Sequence, residues 1–359
     1  MVTGEIIQTM SDSGDDLLGD FDQEEAPARA RKRPRRKGRI VLGVLVVLVL
    51  AVVGLVAGYG LMLNNTMNQA ESVSEAFPDD ADRPATVEPD DGYEAPVNIL
   101  LLGTDTRASG ASLLTDLGSR ADTIMLMHIP GDRESVQLMS FMRDLWVDIP
   151  GHGTAKINAA LAYGGVPLMV QTMETIVDQR IDHVAIIDFE GFEGLTDELG
   201  GVTVDNGVAF SASNSDHHFE EGSITLDGEQ ALSYVRERYA FSDGDYQRVV
   251  NQRAYLAGLM DEMLSRDVLI NPLKVNELAS TMTPHMATTD TLGPRTVLNL
   301  GPSLVGLRSS DVNTFTVPTL GTGSEGGQSV VYPNWDGIEE IREALASGSM
   351  TDFEPAPAS

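Results

Sequence analysis

The sequence predicts a three-layer α/β or α+β domain behind a single N-terminal transmembrane helix. Three observations lead there. Short apolar runs bounded by Gly, Asp or Pro read as buried strands: "VNILLLG" (97–103), "TIMLMHI" (123–129), "SVQLMSF" (135–141) and "HVAIIDF" (183–189). Apolar residues recur at helical spacing over 156–180, 190–199, 227–235, 245–265, 271–283 and 335–346. Strands interspersed with helices in this way build layered α/β domains. Ahead of them all, residues 40–63 carry no charge.

Taken in chain order, residues 1–39 read as a disordered cytoplasmic tail, acidic at first and then basic, with eight Lys/Arg between Arg29 and Arg39. The uncharged run at 40–63 spans roughly 36 Å as a helix, enough for a ~30 Å hydrocarbon core. Basic flanks stay inside, so the chain is expected to be a single-pass type II protein of the cell membrane with everything after residue 63 extracellular. A cleaved signal peptide fits less well, since its apolar region is shorter and no A-x-A site follows. Residues 64–95, rich in Asp, Glu and Pro, are expected to form an extracellular stalk. Residues 96–346 make up the folded domain, without an internal boundary or repeat, and 347–359 a flexible C-terminal tail.

Composition excludes several functions. The 359 residues contain no cysteine, which rules out disulfides, thiolate metal sites and a cysteine nucleophile. The formal net charge is −30. Residues 1–39 hold eight basic and eight acidic residues, so the whole excess lies beyond the span, 16 basic against 46 acidic. Such a surface repels nucleic acid. The six histidines have no metal-ligand spacing, and His217 and His218 read as solvated residues of an acidic loop.

Against this charge, "YVRERYAFSDGDYQRVVNQR" (234–253) gathers Arg236, Arg238, Arg248 and Arg253. A helix starting near Asp245 puts Asp245, Arg248 and Gln252 on one face. Arg236 and Arg238 share a side if the chain is extended there. Alone, the stretch is equally a solvated helix end with weak ion pairs. Other segments add to it. Asp105 and Arg107 follow one apolar strand, Arg120 and Asp122 precede the next, and Arg143 and Asp144 follow a third. Strand ends are where open α/β sheets build sites. Arginine forks match phosphate oxygens, and neighbouring aspartates suit Mg²⁺. Phosphoryl transfer uses that combination. There is no Walker motif and no kinase motif set, so a nucleotide is not indicated.

The segments "NILLLGTDTR", "RADTIML", "RDLWVDIPGHGTAKINAALAYGG", "DFEGFEGLTDELGGVTV" and "LDGEQALSYVRERYAFSDGDYQRVVNQR" resemble, in order, those of the LytR-CpsA-Psr family of bacterial cell-wall ligases. The resemblance implies a three-layer α/β/α domain with a central mixed sheet and an apolar pocket for a lipid tail. It also implies a glycopolymer phosphotransferase that moves a glycan from a polyprenyl-pyrophosphate carrier to a peptidoglycan acceptor at the membrane, with pyrophosphatase side activity. Position by position, Asp105 and Asp122 match aspartates that hold Mg²⁺ (or Mn²⁺). Arg120, Arg143, Arg236, Arg238 and Arg248 match pyrophosphate-binding arginines, and Gln252 the accompanying glutamine. Asp245 matches an aspartate that orients the arginines, and Lys156 lies in the "KIN" motif of the binding site. The implied catalytic set is Asp105, Arg120, Asp122, Arg143 and Asp245, while Arg253 is not carried over. Two other readings belong to different classes: a non-catalytic polyprenyl-phosphate scaffold, and a membrane-bound transcriptional attenuator, for which the cytoplasmic tail lacks a helix-turn-helix pattern. The long apolar tail of such a donor leads to one more expectation, an apolar tunnel beneath the arginines lined in part by the helices at 156–180 and 245–265.

Overall fold

The computed structural model describes residues 62, 65, 66, 69–87, 89, 93–104, 113, 121–213, 215–241, 245–263, 265–269, 271–304 and 307–353. Among these, the centre is a seven-stranded mixed sheet of β1 (Glu71–Ser72), β2 (Val97–Thr104), β3 (Ala121–Ile129), β4 (Val136–Phe141), β7 (His183–Asp188), β12 (Met286–Thr288) and β13 (Val312–Thr316). Its order is β1-β12-β7-β2-β3-β4-β13. Two-stranded ladders flank it: β5 (Trp146–Ile149) with β6 (Gly153–Lys156), β8 (Val202–Asn206) with β11 (Gly222–Leu226), β9 (Phe210–Ser211) with β10 (His218–Phe219), and β14 (Thr319–Glu325) with β15 (Gln328–Pro333). The helices are α1 (Ala159–Val177), α2 (Phe189–Glu198), α3 (Gly228–Arg236), α4 (Asp245–Met263), α5 (Arg266–Leu269), α6 (Pro272–Met282), α7 (Pro294–Leu304) and α8 (Trp335–Ser347). This is the expected mixed α/β fold. The expected span at 40–63 lies almost wholly outside the described residues, and among the described residues no helix is long and apolar enough to cross a membrane.

Alternation along the strands sends two sets of side chains to opposite faces. Leu100, Leu102, Ile124, Leu126, Met139, Phe141, Val184 and Ile186 form one face, none more than 3% exposed. They join Met169, Val170 and Met173 of α1 and Ile338 and Ile341 of α8 in one core cluster. The other face packs Leu101 and Met127 with Leu256 and Met260 of α4. The helices at 156–180 and 245–265 therefore lie on opposite sides of the sheet and cannot line one tunnel. The first of them also starts late: Lys156 ends β6, and the helix runs only from Ala159. It is interrupted at Gly164 and Gly165, where Gly165 has φ 65°, a region that side chains disfavour.

The expected stalk is in large part a piece of the domain. Thr66 is buried and its hydroxyl donates to Asn276 Oδ1 of α6 at 2.9 Å. β1 adds to the sheet edge in parallel with β12. Val73 and Ala76 enter the main core. Arg83, its side chain 6% exposed, grips the 1%-exposed carboxylate of Glu174 through Nε and Nη2 at 2.9 and 2.7 Å, and stacks over Phe77. A charge pair this buried needs full hydrogen bonding to offset its desolvation. Ile181 N–H adds a further bond to Glu174. Met350, within the expected C-terminal tail, is fully buried against the same core, with Phe353 packed beside it. Apolar side chains at 73, 76, 77, 350 and 353 account for the docking of both segments.

Candidate active site at one edge of the central sheet

β2 is parallel to β7 and antiparallel to β3, and β3 is antiparallel to β4. The C-terminal ends of β2, β7 and β4 and the start of β3 therefore share one edge. Thr104 pairs with Asp188 on one side and with Ala121 on the other. The positions next to this pair are 105, 120 and 122, so the topology draws together the strand ends singled out in the sequence. Asp105 and Arg120 themselves lie outside the described residues. The β2–β3 register slips between Gly103 and Thr104: Gly103 faces Thr123 while Thr104 faces Ala121. Asp122 is thus the extra residue of a β-bulge, a device common beside active sites because it re-aims the chain.

From β4 the chain turns into the "RDLW" segment. Asp144 accepts Lys156 Nζ at 2.9 Å, with Arg143 Nε at 3.8 Å. The pairing of Trp146 with Lys156 in the β5–β6 hairpin brings the lysine back to this edge. A carboxylate between two cations holds both against mutual repulsion. Asp144 was noted in the sequence only as a carboxylate at a strand end, and its contacts give it a positioning role.

Arg236 is the last residue of α3. Its guanidinium stacks over Phe189, 4.6 Å from the ring centroid. Phe189 directly follows Asp188, whose side chain caps α2 by accepting Gly191 N–H at 2.7 Å. Arg236 therefore stands at the C-terminal end of β7, on the shared edge. α3 is fixed by a capping box at Asp227 and Gln230 and by an aromatic cluster in which Tyr234 packs on Phe210 and Phe219. Tyr234 also donates to Asn206, and burial, then the charge of Asp205, pushes its hydroxyl pKa up to about 12.

The turn after α3 is built on Glu237, which sequence reasoning missed. Its side chain is buried, 3% exposed, and accepts the N–H groups of Arg238, Tyr239 and Ala240 at 2.9, 2.7 and 2.9 Å on one oxygen. Ser213 adds its hydroxyl to that oxygen and its N–H, at 2.6 Å, to the other. Burial opposes the charge, but these bonds, those of Ser213 first, outweigh it and hold the carboxyl below its ordinary pKa. The residue between the two arginines is thus the anchor that sets their backbone. Arg238, half-buried, lies against the exposed ring of Tyr239, 4.5 Å from its centroid.

α4 docks on the end of α3 through two amides: Asn251 donates to Tyr234 O at 3.3 Å and Gln252 to Val235 O at 3.2 Å. These bonds cover helix-end carbonyls that lack intrahelical partners. Gln252, expected to touch substrate, has its amide nitrogen committed to the protein and positions α4 against Arg236. Arg248 sits one turn earlier, half-buried, and Asp245 opens the helix. The shared edge thus brings together Arg143, Lys156, Arg236 and the backbone of Asp122, with Arg238 on the adjoining turn.

The sheet face behind this edge is unevenly covered. On the α1 side every central residue is sealed, whereas on the α4 side Leu101, Met127, Ala185 and Ile187 are only half-buried. These apolar side chains keep part of their surface accessible in mid-sheet. The strip runs along β2, β3 and β7 toward the cationic edge.

A model of the LytR_cpsA_psr family matches residues 61–347. The chain is 34% identical over 250 residues to the polyisoprenyl-teichoic acid–peptidoglycan teichoic acid transferase TagU of Enterococcus faecalis, covering 69% of this chain and 77% of that one. It is 36% identical over 246 residues to the TagU of Oceanobacillus iheyensis, covering 66% and 73%. Among solved structures it is similar to B. subtilis TagV, with a TM-score of 0.59, 26% identity and coverage of 72% and 98%. It is similar also to TagT bound to LI-WTA, with a TM-score of 0.57, 26% identity and coverage of 74% and 96%.

Proposed function

The chain belongs to the LytR-CpsA-Psr family, and from this we propose that it is a membrane-anchored phosphotransferase that moves a glycopolymer from a polyprenyl-pyrophosphate carrier to peptidoglycan. The observation that supports this reading most is the meeting of two unlike surfaces. A cationic strand edge with Arg143, Lys156 and Arg236 adjoins a half-buried apolar strip along Leu101, Met127, Ala185 and Ile187. A ligand with a pyrophosphate head and a long apolar tail has those same two parts. Each buried CH₂ contributes about 0.8 kcal/mol, and each charge-assisted bond to the head about 1.5–3 kcal/mol.

In the reaction, an acceptor hydroxyl of peptidoglycan attacks the phosphorus that carries the glycan. The new O–P bond forms, the bridging P–O bond breaks, and polyprenyl phosphate leaves with the electron pair. The acceptor's proton passes to a base. Arg143, Arg236, Arg238 and Arg248 hold the phosphates and neutralise charge as it moves to the leaving oxygen, while Asp144 keeps Arg143 and Lys156 in place. Asp105 and Asp122 are the chain neighbours of Thr104 and Ala121, which pair at this edge. Asp105 and Asp122 would hold Mg²⁺ or Mn²⁺, which would supply further neutralisation of the phosphate oxygens. In this reading the anchor is the span at 40–63, residues 1–39 are cytoplasmic, and the domain works outside.

The test is transfer by the membrane-embedded protein from donors with long and short prenyl chains, with divalent cation and with chelator. Wild type is expected to transfer to peptidoglycan with cation only, and to prefer the long chain. Ala185→Trp, which fills the strip, is expected to erase that preference. A wild type that binds donor but never transfers it makes the protein a scaffold and defeats the proposal.

A further inference from the structure

Beside the cationic edge lies a second concavity, an open cleft of about 380 Å³, within the ~300–1,000 Å³ of small-molecule sites. Arg236 forms the wall between the two, with its guanidinium stacked on Phe189 at the strand ends and its side chain also lining the cleft. Glu237 closes the same wall. The opposite side is the loop between β9 and β10, which contributes Ser215 and His217, and the floor is α3, which contributes Glu229, Leu232 and Ser233.

The chemistry of this lining differs from that of the edge. Ser215 and Ser233 hydroxyls meet at 2.8 Å. His217 Nε2 is sequestered from solvent without a hydrogen-bond partner among the described residues, 3.6 Å from Glu229 Oε1. The 81%-exposed Glu229 carboxylate leaves acceptor capacity open to the cleft. Glu193, Glu229 and Glu237 outnumber the cations here, so a second pyrophosphate is repelled. Hydroxyls, an imidazole nitrogen and carboxylate oxygens around one apolar side chain instead suit a neutral ligand rich in O–H and N–H groups, with a C–H face to lay on Leu232.

We propose that this cleft is the acceptor subsite, which binds the uncharged amino-sugar rings of a peptidoglycan glycan strand and aims a hydroxyl past Arg236 at the phosphorus. This assignment rests on the phosphotransferase reading above and extends it to the acceptor. It also explains why the lining is acidic beside so cationic an edge: the donor's phosphates are kept to one side of Arg236 and the neutral acceptor to the other.

The test uses full-length protein in vesicles and two variants outside the pyrophosphate machinery. Ser215→Trp, in an inter-strand loop, fills the cleft, and Glu229→Gln removes one acceptor charge. Glu221→Gln, on the same exposed stretch but not in the cleft lining, is the charge control. Ser215→Trp is expected to raise the acceptor KM at least tenfold and Glu229→Gln about threefold, with donor KM within twofold of wild type and Glu221→Gln unchanged. Binding of an N-acetylglucosamine oligomer, followed by titration calorimetry, is expected to be lost in Ser215→Trp. An unchanged acceptor KM with oligomer still bound overturns the assignment, as does equal binding of free stem peptide in place of the sugar. Absence of transfer in wild type defeats the phosphotransferase reading alone, and oligomer binding to wild type but not Ser215→Trp still upholds the cleft as a glycan site.

Discussion

Replacing Glu237 by Gln changes one atom of a buried side chain and exposes what holds the arginine turn. The carboxylate accepts five bonds, from the N–H groups of Arg238, Tyr239 and Ala240 and from the N–H and hydroxyl of Ser213. A glutamine can keep its oxygen toward the three consecutive N–H groups, but its NH₂ then faces Ser213 N–H, donor against donor. Turned over, it sets the NH₂ against three donors. The better orientation loses one charge-assisted bond of about 1.5–3 kcal/mol and weakens the rest, so about 3 kcal/mol is expected. At about 2–4 °C per kcal/mol for a domain of this size, Tm falls by roughly 6–12 °C. Donor affinity falls with it, because Arg236 and Arg238 flank the displaced residue. The sign with pH follows from the depressed pKa. The carboxylate's contribution is present above the unfolded value and is lost as pH falls through the folded one, so the gap between variant and wild type closes in acid. Thermal unfolding from pH 7 down to pH 3 measures both. A Glu237→Gln variant as stable as wild type at pH 7 would refute the anchoring role.

Three further outcomes are expected. A chain starting at residue 96 strands Glu174 as a buried charge and is expected to lose about 3–5 kcal/mol, as is Arg83→Ala in the intact chain; equal Tm values for chains starting at 65 and 96 would count against docking of the N-terminal segment. His128 is buried, bonded to Asn98 at 2.7 Å, and pushed down to about 4, by burial first and then by Arg133. Unfolding lets it take up a proton, so stability is expected to fall by roughly 3 kcal/mol between pH 6.5 and 4, and denaturant melts of His128→Gln that keep the wild-type pH slope would exclude this. Asp144→Asn frees Lys156 and Arg143 from their shared partner and is expected to raise donor KM severalfold with the fold intact, as steady-state kinetics beside a circular dichroism melt can show.

The four central strands of the sheet, β2, β3, β4 and β7, were legible because they are largely apolar runs, whereas the edge strands β1, β12 and β13 were not foreseen. Runs such as "NILLLG" and "TIMLMHI" leave no alternative to a central strand, and the polar residues that end them mark the edge where a site belongs. Helices α2, α3, α4, α6 and α8 fall within two residues of their expected bounds, since each carries an apolar stripe. The hairpin of β5 and β6 was missed because "TAK" has no strand signature, and its lysine was assigned to a helix. Glu237 was hidden in "RERYA", where a glutamate between arginines reads as a solvated charge and no local pattern shows the chain folding back over it. The docked N-terminal segment did leave a trace, as Val73, Ala76, Phe77 and a lone Arg83 stand out of an acidic stretch, but the excess of Asp, Glu and Pro pointed to a spacer. Asymmetric cover of the two sheet faces is a tertiary property, because the same strand residues would read identically with or without a helix laid over them.

The burial of Thr66 against α6 sets a leash length. With the proposed span ending at 63, only residues 64 and 65 separate membrane from domain, and the chain to Thr66 reaches at most about 10 Å. A domain of roughly 290 residues is about 50 Å across, so no atom of it can work much more than about 60 Å from the bilayer surface. A cell wall thicker than that is out of range except for its innermost layer. If the span ends at 63, the enzyme decorates glycan only while it is newly laid down, and polymer on outer layers would record where those strands lay when they were young. Lengthening the leash with a flexible insert after residue 63 would let attachment occur on older wall, without altering a single residue of the site.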